Sequence, residues 1–334
     1  ILKLNTKNSC RPSAKLPFNM YDLIIVGAAA AGSSAAIYAA RRNLNFKMVT
    51  LDTGGEVALS GEVANWPGII NIQGFELAQK FTEHVRSYGV QIDEGLKVKK
   101  IIPVKNYYKI VAADGNDKEQ EYETKTVLIA TGIHPRHLDI PGEKEFYLKG
   151  VTYCTVCDGP LFKNKTTVTV GSGNSALESA LMMAGIAKKV YVLSKFANTP
   201  EQNSGFPKGE NILIEKLKTL NNVEVIYEAN TTAIVGEKKV TAIKYTDKTS
   251  TEKEIAADGV MVHIGQIPNS QFVDGVNKNK IGEIIVDEKC RTNLPGIFAA
   301  GDVTTVAYKQ IGIAAGQGIV AALAAIEYIN RWKE

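Results

Sequence analysis

Two stretches of the chain, residues 21–40 and 166–184, pass from an apolar run through a glycine-rich turn into small residues with helical spacing. A short apolar run bounded by such a turn fits a strand buried on both faces, as in a parallel sheet covered by helices. In the first stretch Leu23-Ile24-Ile25-Val26 enters Gly27-Ala28-Ala29-Ala30-Ala31-Gly32, and the alanine-rich residues 33–40 predict a helix packed closely on the sheet. In the second, Val168-Thr169-Val170 enters Gly171-Ser172-Gly173-Asn174-Ser175-Ala176, with helical spacing over 177–184 and a returning strand over 190–193. Glycines in such a turn let the backbone approach a pyrophosphate, whose charge the helix N-terminus favours. One such unit is a weak signal. Two, each in strand and helix context, predict an α/β fold of two Rossmann-like three-layer dinucleotide-binding domains. The first turn has one departure: Ala29 puts a methyl group where a middle glycine admits the pyrophosphate, so either the phosphates are displaced or the loop shifts.

A strand over 46–50 leads to Asp52, 20 residues beyond Gly32, where an acid reaches ribose hydroxyls; a solvated loop aspartate is the competing reading. The irregular stretch Gly54-Gly55-Glu56-Val57 and residues 62–68 is too apolar and too glycine-rich for a linker and suits wrapping around a flat cofactor. Near the C-terminus Pro295-Gly296-Ile297-Phe298-Ala299-Ala300-Gly301-Asp302 reads as a strand that stops at an acid. Asp302 could accept hydrogen bonds from a polyol chain, or simply cap a helix. A helix from about Gln310 would aim its positive end at a flavin.

Composition narrows the picture. A length of 334 residues predicts about two domains, and 45% hydrophobic residues supply their cores. Four cysteines in such a chain make no disulfide scaffold, which favours a reducing compartment, with the cytoplasm as default. The net charge of +4 comes from Lys3, Lys7, Arg11 and Lys15; removing these four leaves 35 basic against 35 acidic residues. No domain is basic enough for a phosphate backbone, which argues against nucleic acid as a partner. Residues 1–19 lack the apolar core of a secretory signal and are expected to be a disordered leader or tag, with Met20 as the natural start. No run is expected to reach the ~18 apolar residues of a membrane span.

The chemistry concentrates at Tyr153-Cys154-Thr155-Val156-Cys157-Asp158-Gly159-Pro160. Two cysteines two residues apart close a small ring, and each thiolate can attack a mixed disulfide formed by the other. The acid after the second cysteine adds a proton donor and acceptor. The competing reading is half of a zinc site, but only Cys10 and Cys290 remain, and no histidine falls between His137 and His263, so no local four-ligand set can be completed. No metal is expected. Cys290 reads as a packing residue, and none of the four histidines lies near Cys154 in sequence.

In their order along the chain these motifs resemble the low-molecular-weight thioredoxin reductases, the class II pyridine nucleotide-disulfide oxidoreductases, over nearly everything from Met20 onward. Gly54-Gly55, Asn65-Trp66-Pro67-Gly68, Ala130-Thr131-Gly132, the central CxxCD, and Gly301-Asp302 with Tyr308-Lys309-Gln310 carry the likeness. The resemblance implies a discontinuous FAD domain, residues 20–138 plus 264–334, with residues 139–263 inserted as a smaller NAD(P)H-binding-like domain holding the disulfide. It implies FAD contacts at Gly27, Ala28, Ala30, Ala31, Gly55, Glu56, Asn65, Thr131, Gly132, Asp302, Lys309, Gln310 and Ile311. Cys157 would face the flavin, Cys154 would attack the disulfide of a thioredoxin-like protein, and Asp158 would be the general acid. A homodimer is implied as well. Glu56 departs from the family's usual glutamine. An ionised carboxylate beside the flavin disfavours the anionic reduced form, so either Glu56 is protonated or the flavin potential is lowered.

The donor is left open. NADPH-using relatives end the second strand of the inserted domain with an arginine cluster for the 2′-phosphate, whereas here Ser194-Lys195-Phe196 stands there and no arginine falls between His137 and Cys290. Lys195 offers a point charge only, and Ser194 is no acid for the free ribose of NADH. Gly171, Gly173, Asn174, Ser175 and Ala176 favour some nucleotide, NADPH or NADH; ferredoxin or a reduced flavin carrier is the alternative. Two other readings remain: a ferredoxin and nicotinamide oxidoreductase, whose relatives lack a central CxxC, and a redox-sensing flavoprotein without turnover. Because one disulfide cannot face the flavin and a protein substrate at once, the inserted domain is expected to turn on linkers near residues 134–140 and 263–268.

Overall fold

The structure, a computed structural model, describes residues 20–60 and 62–333; the leader expected over 1–19 lies outside the described residues. The first glycine-rich unit forms the strand Tyr21–Ala28, the helix Ala30–Arg41 and the strand Phe46–Thr53, which pairs in parallel with the first. Continuous apolar sequence gives a strand buried from Leu23 to Ala28. Around it a seven-stranded sheet runs in the order Ile92–Asp93, Phe46–Thr53, Tyr21–Ala28, Glu119–Ile129, Tyr107–Ala113, Lys97–Val104, and the late strand Ile297–Ala299 pairs in parallel with the far end of Glu119–Ile129. Its strands come from before residue 130 and after residue 296.

The second unit forms the strand Thr166–Val170 and the helix Asn174–Ala184, in a five-stranded all-parallel sheet ordered Val151–Thr152, Gly259–Val262, Thr166–Val170, Lys189–Leu193, Val223–Ile226. A three-stranded antiparallel sheet, Asn230–Gly236, Val240–Thr246 and Glu252–Ala256, packs against it through Ile234, Ile243 and Ile255. Between the seven-stranded and five-stranded sheets the chain crosses twice, and the crossings pair as a short antiparallel ribbon, with Ile267 opposite His134 and the Arg136 amide donating to the Gly265 carbonyl at 2.9 Å. The expected linkers are thus hydrogen-bonded to each other.

The helix Ile311–Ile329 corrects one expectation. At 19 residues and a mean hydropathy of 1.5 it is long and apolar enough to cross a membrane, which its many alanines and glycines had hidden. It packs on Ala30–Arg41, burying Ala321, Ala322 and Ala325 completely. Small residues let the two helices nearly touch: a β-carbon at Gly318 would stand 2.1 Å from the Ala31 carbonyl oxygen. Gly318→Ala should therefore lower stability by about 1–3 kcal/mol through overpacking, read as a drop in thermal midpoint with flavin release at lower temperature.

Candidate active site

Backbone is brought close to backbone at the first turn. Gly27 has φ +104°, and a β-carbon there would meet the Ala130 carbonyl oxygen at 2.3 Å. Ala28, Ala30 and Ala31 are buried beside it. Ala29 is extended, and its methyl group is 3.3 Å from where a β-carbon on Gly55 would be, so the missing middle glycine is accommodated by Gly55, which has φ +50°. The first amides of Ala30–Arg41 and of Ile311–Ile329 have no intrahelical acceptor, and the two helix starts converge on Gly301 and Asp302, the Gly301 amide donating to Gln317 Oε1 at 2.8 Å. Asp302 Oδ1 is buried with no hydrogen-bond partner among the described residues. An orphaned buried acceptor beside two helix starts fits the hydroxyls and phosphates of FAD.

Other expected residues meet across long sequence separations. Asn65 Nδ2 donates to Gln310 Oε1 at 3.3 Å, immediately before Ile311 opens its helix. Thr131 Oγ1 donates to the Asn269 carbonyl at 2.6 Å, and the Asn269 amide donates to the carbonyl of Gly132 at 3.0 Å, fixing that turn. Lys309 is held by Glu283 at 2.7 Å and by the Thr304 carbonyl. Asp52, at the end of its strand, accepts the Gly55 amide at 3.0 Å. Burial, with Asp52 and Asp302 adding repulsion, pushes the Glu56 carboxyl up to about 7; burial pushes Asp302 up to about 6 against the pull of Lys309. Near neutrality Glu56 therefore exists in both of the states the sequence left open.

Cys154 and Cys157 form a disulfide. Cys154 precedes the single helical turn Thr155–Asp158, and its sulfur accepts the Cys157 amide at 3.3 Å. Asp158 is buried, with Oδ2 accepting the Thr152 hydroxyl and Oδ1 unpartnered among the described residues. Burial raises its carboxyl, opposed by the Thr152 hydrogen bond. The turn packs near the strand Glu62–Val63 of the other lobe. Tyr147 ties the lobes directly by donating to the Leu59 carbonyl at 2.9 Å, and the charges of Glu56 and Asp158 both act on it; burial foremost lifts the phenol to about 12. The turn that carries the disulfide thus lies against the lobe that carries Glu56.

Sequence distance concealed His263. It follows the strand Gly259–Val262, at the carboxyl end where α/β sheets place their ligands, and its Nε2 is 2.7 Å from the hydroxyl of Thr155, between the two cysteines. The same hydroxyl is 2.6 Å from Ser179 Oγ. Burial pushes the imidazole down to about 4, so it stays neutral and serves as a fixed hydrogen-bond partner. Its position after a buried apolar run was the available signal. At the second turn a β-carbon on Gly171 would meet the His263 carbonyl at 2.2 Å, so that glycine is required by packing. Ala176 is fully buried, Ser175 is exposed, Asn174 is bonded to Glu210 at 2.8 Å, and Lys195 is exposed with Nζ 5.3 Å above the Phe196 ring. Cys290 is buried in the other lobe, its thiol directed at the Gln317 carbonyl.

Two outcomes follow from these groups. Reducing the flavin adds negative charge, which ionised Glu56 opposes, so the midpoint potential should fall more steeply above pH ~7; Glu56→Gln should remove that break and raise the potential at alkaline pH, and an unchanged midpoint would contradict the role. For His263 the unfolded imidazole takes up a proton near its ordinary 6.5 while the folded one resists to about 4. Stability is therefore full above 6.5 and declines as pH falls toward 4, and His263→Gln should flatten that decline in denaturant titrations.

Comparison with known proteins agrees with this geometry. Residues 21–318 match the pyridine nucleotide-disulphide oxidoreductase family. The chain is 38% identical over 340 residues to the F component of alkyl hydroperoxide reductase from Escherichia coli (strain K12), covering 100% of this chain and 63% of that protein's length. Thioredoxin reductase from Streptococcus pyogenes MGAS5005 superposes with a TM-score of 0.82 at 33% identity, covering 94% of this chain and 99% of the other. A ferredoxin-flavin thioredoxin reductase from Clostridium acetobutylicum matches with a TM-score of 0.50 at 31% identity, over 93% of this chain and 99% of the other. A flavin-ready cradle and a central CxxC disulfide on two Rossmann-like sheets place this chain among the pyridine nucleotide-disulphide oxidoreductases, a FAD-binding family, with low-molecular-weight thioredoxin reductases as its structural neighbours.

Proposed function

We propose that the protein is a FAD-dependent disulfide reductase that delivers two electrons through Cys154 and Cys157 to the disulfide of a thioredoxin-like protein. The observation that carries this reading is the Cys154–Cys157 disulfide held beside buried Asp158, on a turn packed against the lobe of Glu56 and Asp302. FAD, bound along Gly27 to Ala31, Gly55, Asn65, Thr131, Gly132 and Gly301 to Asp302, with Lys309, Gln310 and Ile311, supplies the two-electron couple. The chain's residues do the rest. The disulfide takes up two electrons and two protons to become a dithiol. A thiolate at Cys154, favoured by the Cys157 amide, attacks one sulfur of the partner disulfide and releases the other as a thiol. Cys157 then attacks Cys154 in the mixed disulfide, re-forming the ring and leaving the partner as a dithiol. Asp158, kept protonated further up the pH scale by burial, donates to the leaving sulfur.

Geometry requires a motion. With the disulfide's turn packed against the other lobe, a protein substrate reaches it only after the Tyr147 to Leu59 bond breaks and the lobe spanning residues 139–263 turns on the paired crossings Ile133–Pro135 and Gln266–Pro268. Residues 20–138 with 264–334 are then the FAD-binding domain, and the whole is read as a homodimer by family likeness. A second acceptor, a hydroperoxide-reducing partner, is favoured by the name of the Escherichia coli relative, of which this chain spans 63%.

Cys154→Ser should retain flavin colour and flavin reduction but lose delivery of electrons to thioredoxin by at least about 10³-fold, measured with insulin turbidity or direct thiol titration. Undiminished delivery would sink the proposal and favour a flavoprotein that senses without turnover. Asp158→Asn should slow the thiol-exchange half-reaction by about 10²-fold while leaving the disulfide intact.

A further inference from the structure

We propose that residues 199–210 close the second glycine-rich turn to nicotinamide dinucleotides, so that electrons reach this protein from a donor that does not occupy that turn. The inference deepens the disulfide-reductase reading and rests on it for where the electrons go next. On a Rossmann unit a dinucleotide lays its pyrophosphate over the glycine turn and helix start, and its adenosine ribose beside the residue that ends the second strand. Here both places are covered by the chain itself.

Over the turn lies Lys208, whose backbone bridges to Gly173; a β-carbon on Gly173 would find the β-carbon of Lys208 at 4.0 Å and nothing nearer. At the helix start Asn174 and Glu210 are paired reciprocally: Asn174 Nδ2 donates to Glu210 Oε1 at 2.8 Å, and the Glu210 amide donates to Asn174 Oδ1 at 2.8 Å. The carboxylate thus stands where a pyrophosphate would be drawn by the same helix start, and it repels one. At the strand end Ser194 is 0% exposed and its hydroxyl donates to the Gly205 carbonyl, so no ribose hydroxyl can reach it.

The cover is built in. Phe206 is 1% exposed and packs in the core with Leu177 and Ile214. Asn203 Nδ2 spans the segment by donating to the Phe206 carbonyl at 3.1 Å and the Gly209 carbonyl at 2.8 Å. Gly205 has φ +84°, and a β-carbon there would lie 2.4 Å from the Tyr227 ring. Lifting this segment would expose a phenylalanine and strand a buried serine, which a weakly held nucleotide does not offset. The survival of Gly171 needs no nucleotide, because the His263 carbonyl already demands it.

The test uses the flavin-loaded protein under anaerobic rapid mixing with NADPH and with NADH at about 1 mM, the upper end of ordinary KM values. Flavin absorbance should show no saturable bleaching by either, whereas photochemically reduced protein should still reduce thioredoxin. Glu210→Gln, and separately replacement of residues 203–209 by a glycine-serine linker, should gain saturable bleaching or ADP-ribose binding by on the order of tenfold or more. If the linker variant does not fold, Glu210→Gln carries the comparison. Saturable bleaching of the unaltered protein well below that concentration, indifferent to Glu210→Gln, would overturn the inference. Photoreduced protein that fails to reduce any thioredoxin-like protein would instead overturn the function above, with the nucleotide experiments still deciding this one.

Discussion

Backbone approach without intervening side chains is the constraint on which the rest of this structure depends. At Gly27, Gly32 and Gly318 a β-carbon would collide with the carbonyl oxygens of Ala130, Gly27 and Ala31 respectively, at 2.0 to 2.3 Å. Only that closeness lets two helix starts from opposite ends of the chain face one place, and it buries Oδ1 of half-buried Asp302 beneath them. Positive helix ends and partly desolvated acids then coexist within one cradle. Desolvation raises the carboxyls of Asp302 and Glu56 toward neutral pH, so the cradle's charge becomes a function of pH between about 6 and 7.

The disulfide is supported by a different kind of packing. Buried Thr152, Thr155, Ser179 and Asp158 and half-buried His263 form a polar patch behind it, made of hydroxyls, a carboxyl and a neutral imidazole. Its hydrogen bonds hold in place the turn that carries the two sulfurs. The paired crossings Ile133–Pro135 and Gln266–Pro268 join the lobes through a narrow ribbon, while Tyr147 hydrogen-bonds from one lobe to the other at Leu59. The two nucleotide turns have diverged accordingly: one is shaped by glycine for a cofactor, and the other retains its glycine for His263 and is covered by Lys208 and Glu210.

Much of this was legible in the chain. Both strand-turn-helix units, the helix after Gln310 and the strand ending before Gly301 lie close to where periodicity put them. The pairing of Cys154 with Cys157 was legible because a three-residue separation leaves little else for the two sulfurs to do. The antiparallel sheet between residues 230 and 256 was not, since short strands of mixed polarity declare themselves only once a neighbour covers one face. The apolar helix Ile311–Ile329 was underrated because alanine and glycine carry little hydropathy individually.

Local chemistry thus determined the elements, their order and the reactive pair, because turns, buried strands and a CxxC ring are governed by residues a few positions apart. Folding alone decided which distant residues meet. His263 reaches Thr155 across 108 positions and Glu210 reaches Asn174 across 36, and neither partnership has a sequence signature. Such contacts arise where strands end side by side in a sheet, and the order of strands in space is set by how all the apolar faces are buried together.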